Sequence, residues 1–276
     1  MNSIPVPRSA SAALPVQRLR RSLDPLLEPL QAIAAQSSNL IVRPGASFEA
    51  AGERYEVPRY VYLGARGGDD PISVGIFAGI HGDEREGSHA IVELVRVLER
   101  APELARGYCL FLYPVCNPTG YEDDTRHSRR GRDLNREFWR QTGEPEVRLL
   151  QEELARHAYH GIISLHSDDT STGAYRFVSG ATLTQHLLEP ALEAANAILP
   201  RDESPRIDGF AAERGIIREG YDGVLRAPPE MRPRPFEIVF ETPQRAPHYA
   251  QVHATTVALT TILREYRNLI AYAANL

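Results

Sequence analysis

Not one of the 276 residues is a lysine; all 31 cationic side chains are arginine. That absence removes several chemistries together: a P-loop lysine on a nucleotide phosphate, a Schiff-base lysine and a lysine general base. Cysteine is scarce too. Cys109 and Cys116 are the only two, too few for a disulfide framework or a thiolate zinc site. They lie in one apparently extended stretch, whose span of about 23 Å is beyond bridging distance. No run approaches the roughly 18 apolar residues a membrane-spanning helix needs. The opening MNSIPVPRSASAALPVQRLRR carries its charge late and lacks an apolar core, so export is not expected and a cytoplasmic location is. Nor is positive charge in excess. With 36 acidic residues the formal net charge is −5, which argues against a nucleic-acid binder despite the local cluster Arg126, Arg129, Arg130 and Arg132. An all-arginine chain does suit carboxylate recognition, because the planar guanidinium grips a carboxylate through two hydrogen bonds.

What remains is an ordinary globular composition, 42% hydrophobic and 24% charged, in a length that fits one large domain. Residues 1–22 begin Ser/Ala/Pro-rich and read as a flexible segment, and 23–276 as a single domain opening with an amphipathic helix over Leu23–Ala35. Four short apolar runs bounded by turn residues read as buried strands: Ser73–Ile80, Tyr108–Val115, Gly161–Leu165 and Phe236–Phe240. Helical periodicity follows the first at Ile91, Leu94, Val95 and Leu98. It recurs over Pro145–Tyr159, over Leu183–Leu199 and along the C-terminal stretch from Val252 to Ile270. Such alternation predicts an α/β fold, three layers α/β/α around a mixed, mostly parallel twisted sheet. Between Pro200 and Pro235 the pattern fails, and a lid or substrate-binding excursion is expected there.

Each predicted strand runs into a chemically useful polar group: His81-Gly-Asp-Glu84, Asn117 and then Asp133-Leu-Asn135-Arg136, His166-Ser167, and Glu241. Ligands in open α/β sheets bind beyond the carboxyl ends of the strands, so these groups are expected to converge. His81 and Glu84 on a tight turn, closed by His166 from a neighbouring strand, form a two-histidine, one-carboxylate set, a catalytic zinc arrangement that leaves a position for water. Taken alone, His-x-x-Glu is more often a solvated turn and a strand-end histidine a satisfied core residue; the coincidence of four strand ends decides for ligation. Glu241 is then left over as a proton shuttle. A rival grouping, His157 and His160 near Glu153, reads as the polar face of a helix.

GIHGDEREG, NPTGYEDDTRHSRRGRDLNREFW, ISLHS and FEIVFETP, in this order, resemble the zinc metallocarboxypeptidase family, including its bacterial murein-peptide amidase relatives. The succinylglutamate desuccinylase/aspartoacylase branch shares the core. The resemblance covers roughly Val57 to the C-terminus. It implies one zinc ion held by His81, Glu84 and His166, with Glu241 as general base. It also implies that Asn135 and Arg136 hold the substrate's free carboxylate and that an arginine polarises the scissile carbonyl. Arg126 is in register for that role, with Arg129 and Arg130 as competitors in an interrupted stretch. Tyr221 matches a substrate-capping tyrosine by spacing, and Arg226 falls near a specificity-pocket position that would favour an acidic side chain.

The function so implied is cleavage of an amide or peptide bond beside a free carboxylate by a metal-activated water, on a small peptide or acyl amino acid. An N-acyl amino acid deacylase is the alternative. The stretch after Glu241 reads as a helix, without the β-domain that deacylases usually append, which favours the peptidase. A non-catalytic protein that binds a metal and a carboxylate is the reading from another class.

Overall fold

The computed structural model describes residues 20–67, 70–179 and 181–273; the first 19 residues of the expected flexible segment lie outside these. Ten strands join in the order β1-β2-β4-β3-β5-β10-β6-β9-β8-β7. The strands are β1 (Leu40–Ala50), β2 (Glu53–Leu63), β3 (Ile72–Ala78), β4 (Tyr108–Tyr113), β5 (Gly161–Asp168), β6 (Tyr175–Ser179), β7 (Arg206–Ile207), β8 (Phe210–Glu213), β9 (Ile216–Ile217) and β10 (Phe236–Pro243). Helices α1 (Asp24–Ala34), α2 (Glu86–Arg100), α3 (Pro118–Asp123), α4 (Pro145–Arg156), α5 (Ala181–Asn196) and α6 (His248–Ala273) complete the chain. The four strands read as apolar runs, β4-β3-β5-β10, form the parallel centre. Antiparallel pairs flank it on both sides.

Alternation along the strands sorts the two faces. Val74, Ile76 and Ala78 of β3, Ile163 and Leu165 of β5, and Ile238 and Phe240 of β10 pack with apolar residues of α1, α2, α5 and α6 into one core. Phe77 and Ile162 face the other way, against Val147, Leu150 and Leu154 of α4. The intervening residues Ser164, His166, Val239 and Glu241 therefore share the α4 face, where two carboxyl-terminal strand ends leave polar groups beside each other. The structure is the expected mixed α/β/α arrangement.

Two departures from the sequence reading stand out. The hairpin β1–β2 was not expected, and it adds two long antiparallel strands to one margin. The stretch 200–235 is more than a lid: β7, β8 and β9 extend the sheet through β6. A small apolar cluster of Tyr175, Ile207 and Ile217 holds them there.

The rival grouping around Glu153 is structural. His157 Nε2 lies 3.6 Å from Glu153, while His160 Nδ1 accepts the backbone N–H of Ser73 at 3.0 Å. Glu153 also accepts hydrogen bonds from Arg59 and, at 2.7 Å, from the Tyr113 hydroxyl. Burial alone would raise its pKa, but the hydrogen bonds from His157, Arg59 and Tyr113 outweigh it and pull the value down to about 2. A depressed carboxylate stabilises the fold above its unfolded pKa and ceases to as pH falls through the folded value. Glu153→Gln is accordingly expected to cost about 2–3 kcal/mol at pH 7. In urea titrations the gap from wild type should close between about pH 4.5 and pH 2; a gap independent of pH would refute the assignment.

Candidate metal centre

β3 ends at Ala78, and the chain turns through Ile80 to set His81 and Glu84 above the sheet, while β5 brings His166 up beside them. All three are buried, and their donor atoms lie within 4.8 Å of one another. His81 Nδ1 is 2.5 Å from Glu84 Oε1, and His166 Nδ1 is 2.9 Å from Glu84 Oε2. The two imidazole Nδ1 atoms face each other at 3.3 Å. Two nitrogens bound to one tetrahedral zinc ion at its ordinary bond length would be separated by about 3.3 Å. The donor set fits such an ion, and no other group of three potential ligands this close occurs among the described residues.

Each outer ring nitrogen has a polar partner. With Nδ1 turned inward, His81 Nε2–H donates to Asp133 Oδ1 at 3.1 Å, and His166 Nε2 lies 2.9 Å from Ser164 Oγ. Partners of this kind orient a ligating imidazole and raise its basicity. In the metal-free chain, burial would lower the His81 pKa, but the Glu84 carboxylate and the Asp133 hydrogen bond raise it to about 9. His166 shares only Glu84, and burial wins, so its pKa falls. Burial opposes ionisation of Glu84, yet the two imidazoles hold its carboxyl well below the usual range. A buried carboxylate between two imidazoles is a place for a cation.

Glu241 pairs with His166 in the parallel β5–β10 register. Both line one cavity of about 410 Å³ together with Glu84, Arg126, Asn135, Arg136 and Tyr221. The Glu241 side chain is 9% exposed, and burial, then repulsion from Glu84, push its carboxyl well above the usual range. Beneath it Arg176, fully buried, donates from Nη1 to the Glu241 carbonyl oxygen at 3.0 Å.

Three arginines compete for the carbonyl-polarising role in sequence, and geometry separates them. Arg126 donates to Asp133 Oδ2 at 3.0–3.1 Å and reaches Glu84 Oε1 at 3.4 Å. Arg129 is tied to Glu122 and Asp123, with Tyr55 beside them, and Arg130 donates to the Gly143 carbonyl. Only Arg126 of the three lines the cavity.

Asn135 and Arg136, the expected carboxylate clamp, are built with the loop above them. Asn135 Oδ1 accepts the Leu225 N–H at 2.9 Å, leaving its side-chain NH2 as the available donor. The Arg136 guanidinium stacks on the Tyr221 ring, 4.1 Å from its centroid. Gly223, at φ +76°, lies so close that a Cβ there would sit 2.3 Å from the Arg136 carbonyl oxygen. Tyr221 donates its hydroxyl to the Asp208 carbonyl at 3.2 Å.

Residues 71–201 match the model of the succinylglutamate desuccinylase/aspartoacylase catalytic domain. A protein from Shewanella denitrificans assigned as a metallopeptidase superposes with a TM-score of 0.74 at 22% identity, over 87% of this chain and 89% of its own. A metallo-carboxypeptidase from Burkholderia cenocepacia gives 0.69 at 18%, over 91% and 70%. These superpositions show that the chain has the metallo-carboxypeptidase fold. Another structure of this fold, a Pseudomonas aeruginosa metallo-carboxypeptidase in complex with (2-guanidinoethylmercapto)succinic acid, superposes at 0.59 and 18%, over 86% and 67%. No curated protein matches the chain. Within this site, Asp133 and Ser164 are the residues whose task the sequence did not disclose. Asp133 heads the Asp-Leu-Asn-Arg string that drew attention to Asn135 and Arg136, but only the fold shows it bridging His81 and Arg126.

Proposed function

We propose that the protein is a zinc-dependent hydrolase that cleaves an amide bond next to a free carboxylate. The observation carrying this reading is the meeting, in one cavity, of the His81–Glu84–His166 set, Glu241 on the adjoining strand and the Asn135–Arg136 clamp. Arg136 and the Asn135 NH2 anchor the carboxylate of the substrate. Arg126, held flat by Asp133, faces the carbonyl oxygen and stabilises the negative charge that develops there. Glu241 accepts a proton from water as the new C–O bond forms and returns it to the departing nitrogen, ending in its starting state. A zinc ion held by His81, Glu84 and His166 would act as a Lewis acid and make water acidic enough to react at neutral pH.

A side pocket of about 250 Å³ shares Phe177, Tyr221, Val224 and Val239 with the main cavity and carries Arg218, Arg226, Glu219 and Glu237 on its wall. Arg226 has no carboxylate within ion-pair distance among the described residues, which supports an acidic side chain on the leaving amino acid.

The family-model match favours a second reading, deacylation of an N-acyl amino acid; the carboxypeptidase neighbours favour the peptidase. A panel of peptides ending in Asp, Glu, Leu or Arg, assayed beside N-acetyl and N-succinyl amino acids, separates them. Release of C-terminal Asp or Glu at a kcat/KM at least about tenfold above Leu or Arg is expected. Turnover of the acyl amino acids alone would replace the peptidase reading with the deacylase one.

A further inference from the structure

The turn carrying His81 and Glu84 is backed, on the side away from the cavity, by a side chain that belongs to no motif. Arg21 lies just ahead of α1, and its backbone N–H donates to the Glu122 carbonyl at 2.7 Å. Its Nη1 donates to the carbonyl oxygen of Gly82 at 3.3 Å, its Nη2 pairs with Asp124, and its guanidinium lies 4.8 Å from the centroid of the Tyr121 ring. Gly82 stands between the two ligands in sequence. It rests so closely on α3 that a Cβ there would meet the carbonyl carbon of Gly120 at 1.9 Å. Turn and helix are thus in contact, and Arg21 is bonded to both: to Gly82 on one side, to Tyr121, Glu122 and Asp124 on the other.

We propose that Arg21 is a positioning residue for the metal centre, pinning the His81–Glu84 turn against α3 so that both ligands face His166. The inference rests on the metal reading above. Its physical basis is the cost of ordering: a turn freed on its outer side has to be fixed when the ion binds, and that cost is subtracted from affinity. A guanidinium is suited to the task because its planar fork serves Gly82 and Asp124 together, which a single ammonium does less well.

The test is zinc affinity by chelator competition on the full chain, with the Tm of each metal-free protein measured beside it. Arg21→Ala is expected to weaken zinc binding about tenfold, as loss of an outer hydrogen-bond partner typically does. Arg21→Lys should recover part of that loss. Metal-free Tm values should stay within about 4 °C of wild type. Arg20→Ala is the control, since Arg20 pairs with Glu53 at 2.6 Å and with Asp123 of α3 at 3.7 Å but does not touch the turn; its affinity should equal that of wild type. Equal affinity in wild type and Arg21→Ala overturns the inference, and so does an equal loss in Arg20→Ala, which would mean general loosening of the segment. A wild-type protein that takes up no zinc would instead bring down the metal reading itself.

Discussion

Glu241→Gln is expected to lower kcat by about 10²- to 10⁴-fold while leaving the zinc content of the protein unchanged. Glutamine keeps the shape of the side chain and removes the proton acceptor. Among the described residues the Glu241 carboxylate makes no hydrogen bond or ion pair, and it is not in the cluster His81–Glu84–His166, so the substitution breaks neither kind of contact. Its backbone carbonyl, which Arg176 does hold, is untouched by the substitution. Metal analysis, KM and kcat together check the assignment. A kcat within threefold of wild type refutes it, and loss of zinc would move Glu241 into the ligand set.

Removing the ion should abolish hydrolysis, and one equivalent of zinc should restore it. Two buried imidazoles and one buried carboxylate leave no uncharged substitute for the metal: without it Glu84 keeps its negative charge 4% exposed to solvent, balanced by a proton on His81. His166→Ala should therefore bind zinc more weakly by well over a hundredfold, beyond what loss of an outer partner costs, and should not regain activity at wild-type zinc levels. Chelator-resistant activity, or a His166→Ala protein with normal zinc uptake, would contradict the centre.

The parts of the fold that position this chemistry were legible because they are buried on both faces. Strands β3, β4, β5 and β10 read as largely apolar runs, and a polar residue terminating such a run stands out. The hairpin β1–β2 gave no such signal. β1 contains Arg43, Pro44 and Gly45, pairs on one side only and exposes Ile41 and Val42, so neither a continuous run nor clean alternation marks it. Strands of two to four residues such as β7, β8 and β9 are too short for periodicity to register. At the site, His81, Glu84, His166 and Glu241 could be named from strand ends and motifs. The choice of Arg126 over Arg129 could not, because Arg129 is taken up by Glu53 on β2 and by Glu122 and Asp123 around α3, and proximity between those segments has no local pattern. Ser164 and Arg21 fall in the same class: a hydroxyl under an imidazole and a guanidinium behind a turn are defined only by what folds against them.

The bond from Leu225 to Asn135, the stacking of Tyr221 on Arg136 and the abutment of Gly223 join the proposed recognition loop to the proposed anchor beneath it at three points. Selectivity and grip are therefore inherited as one unit. A lineage that retunes the side pocket by altering this loop also disturbs how firmly every substrate is held, so new preferences should arise first through exchanges at outward-facing positions such as Arg218 and only later through the backbone that carries Arg226.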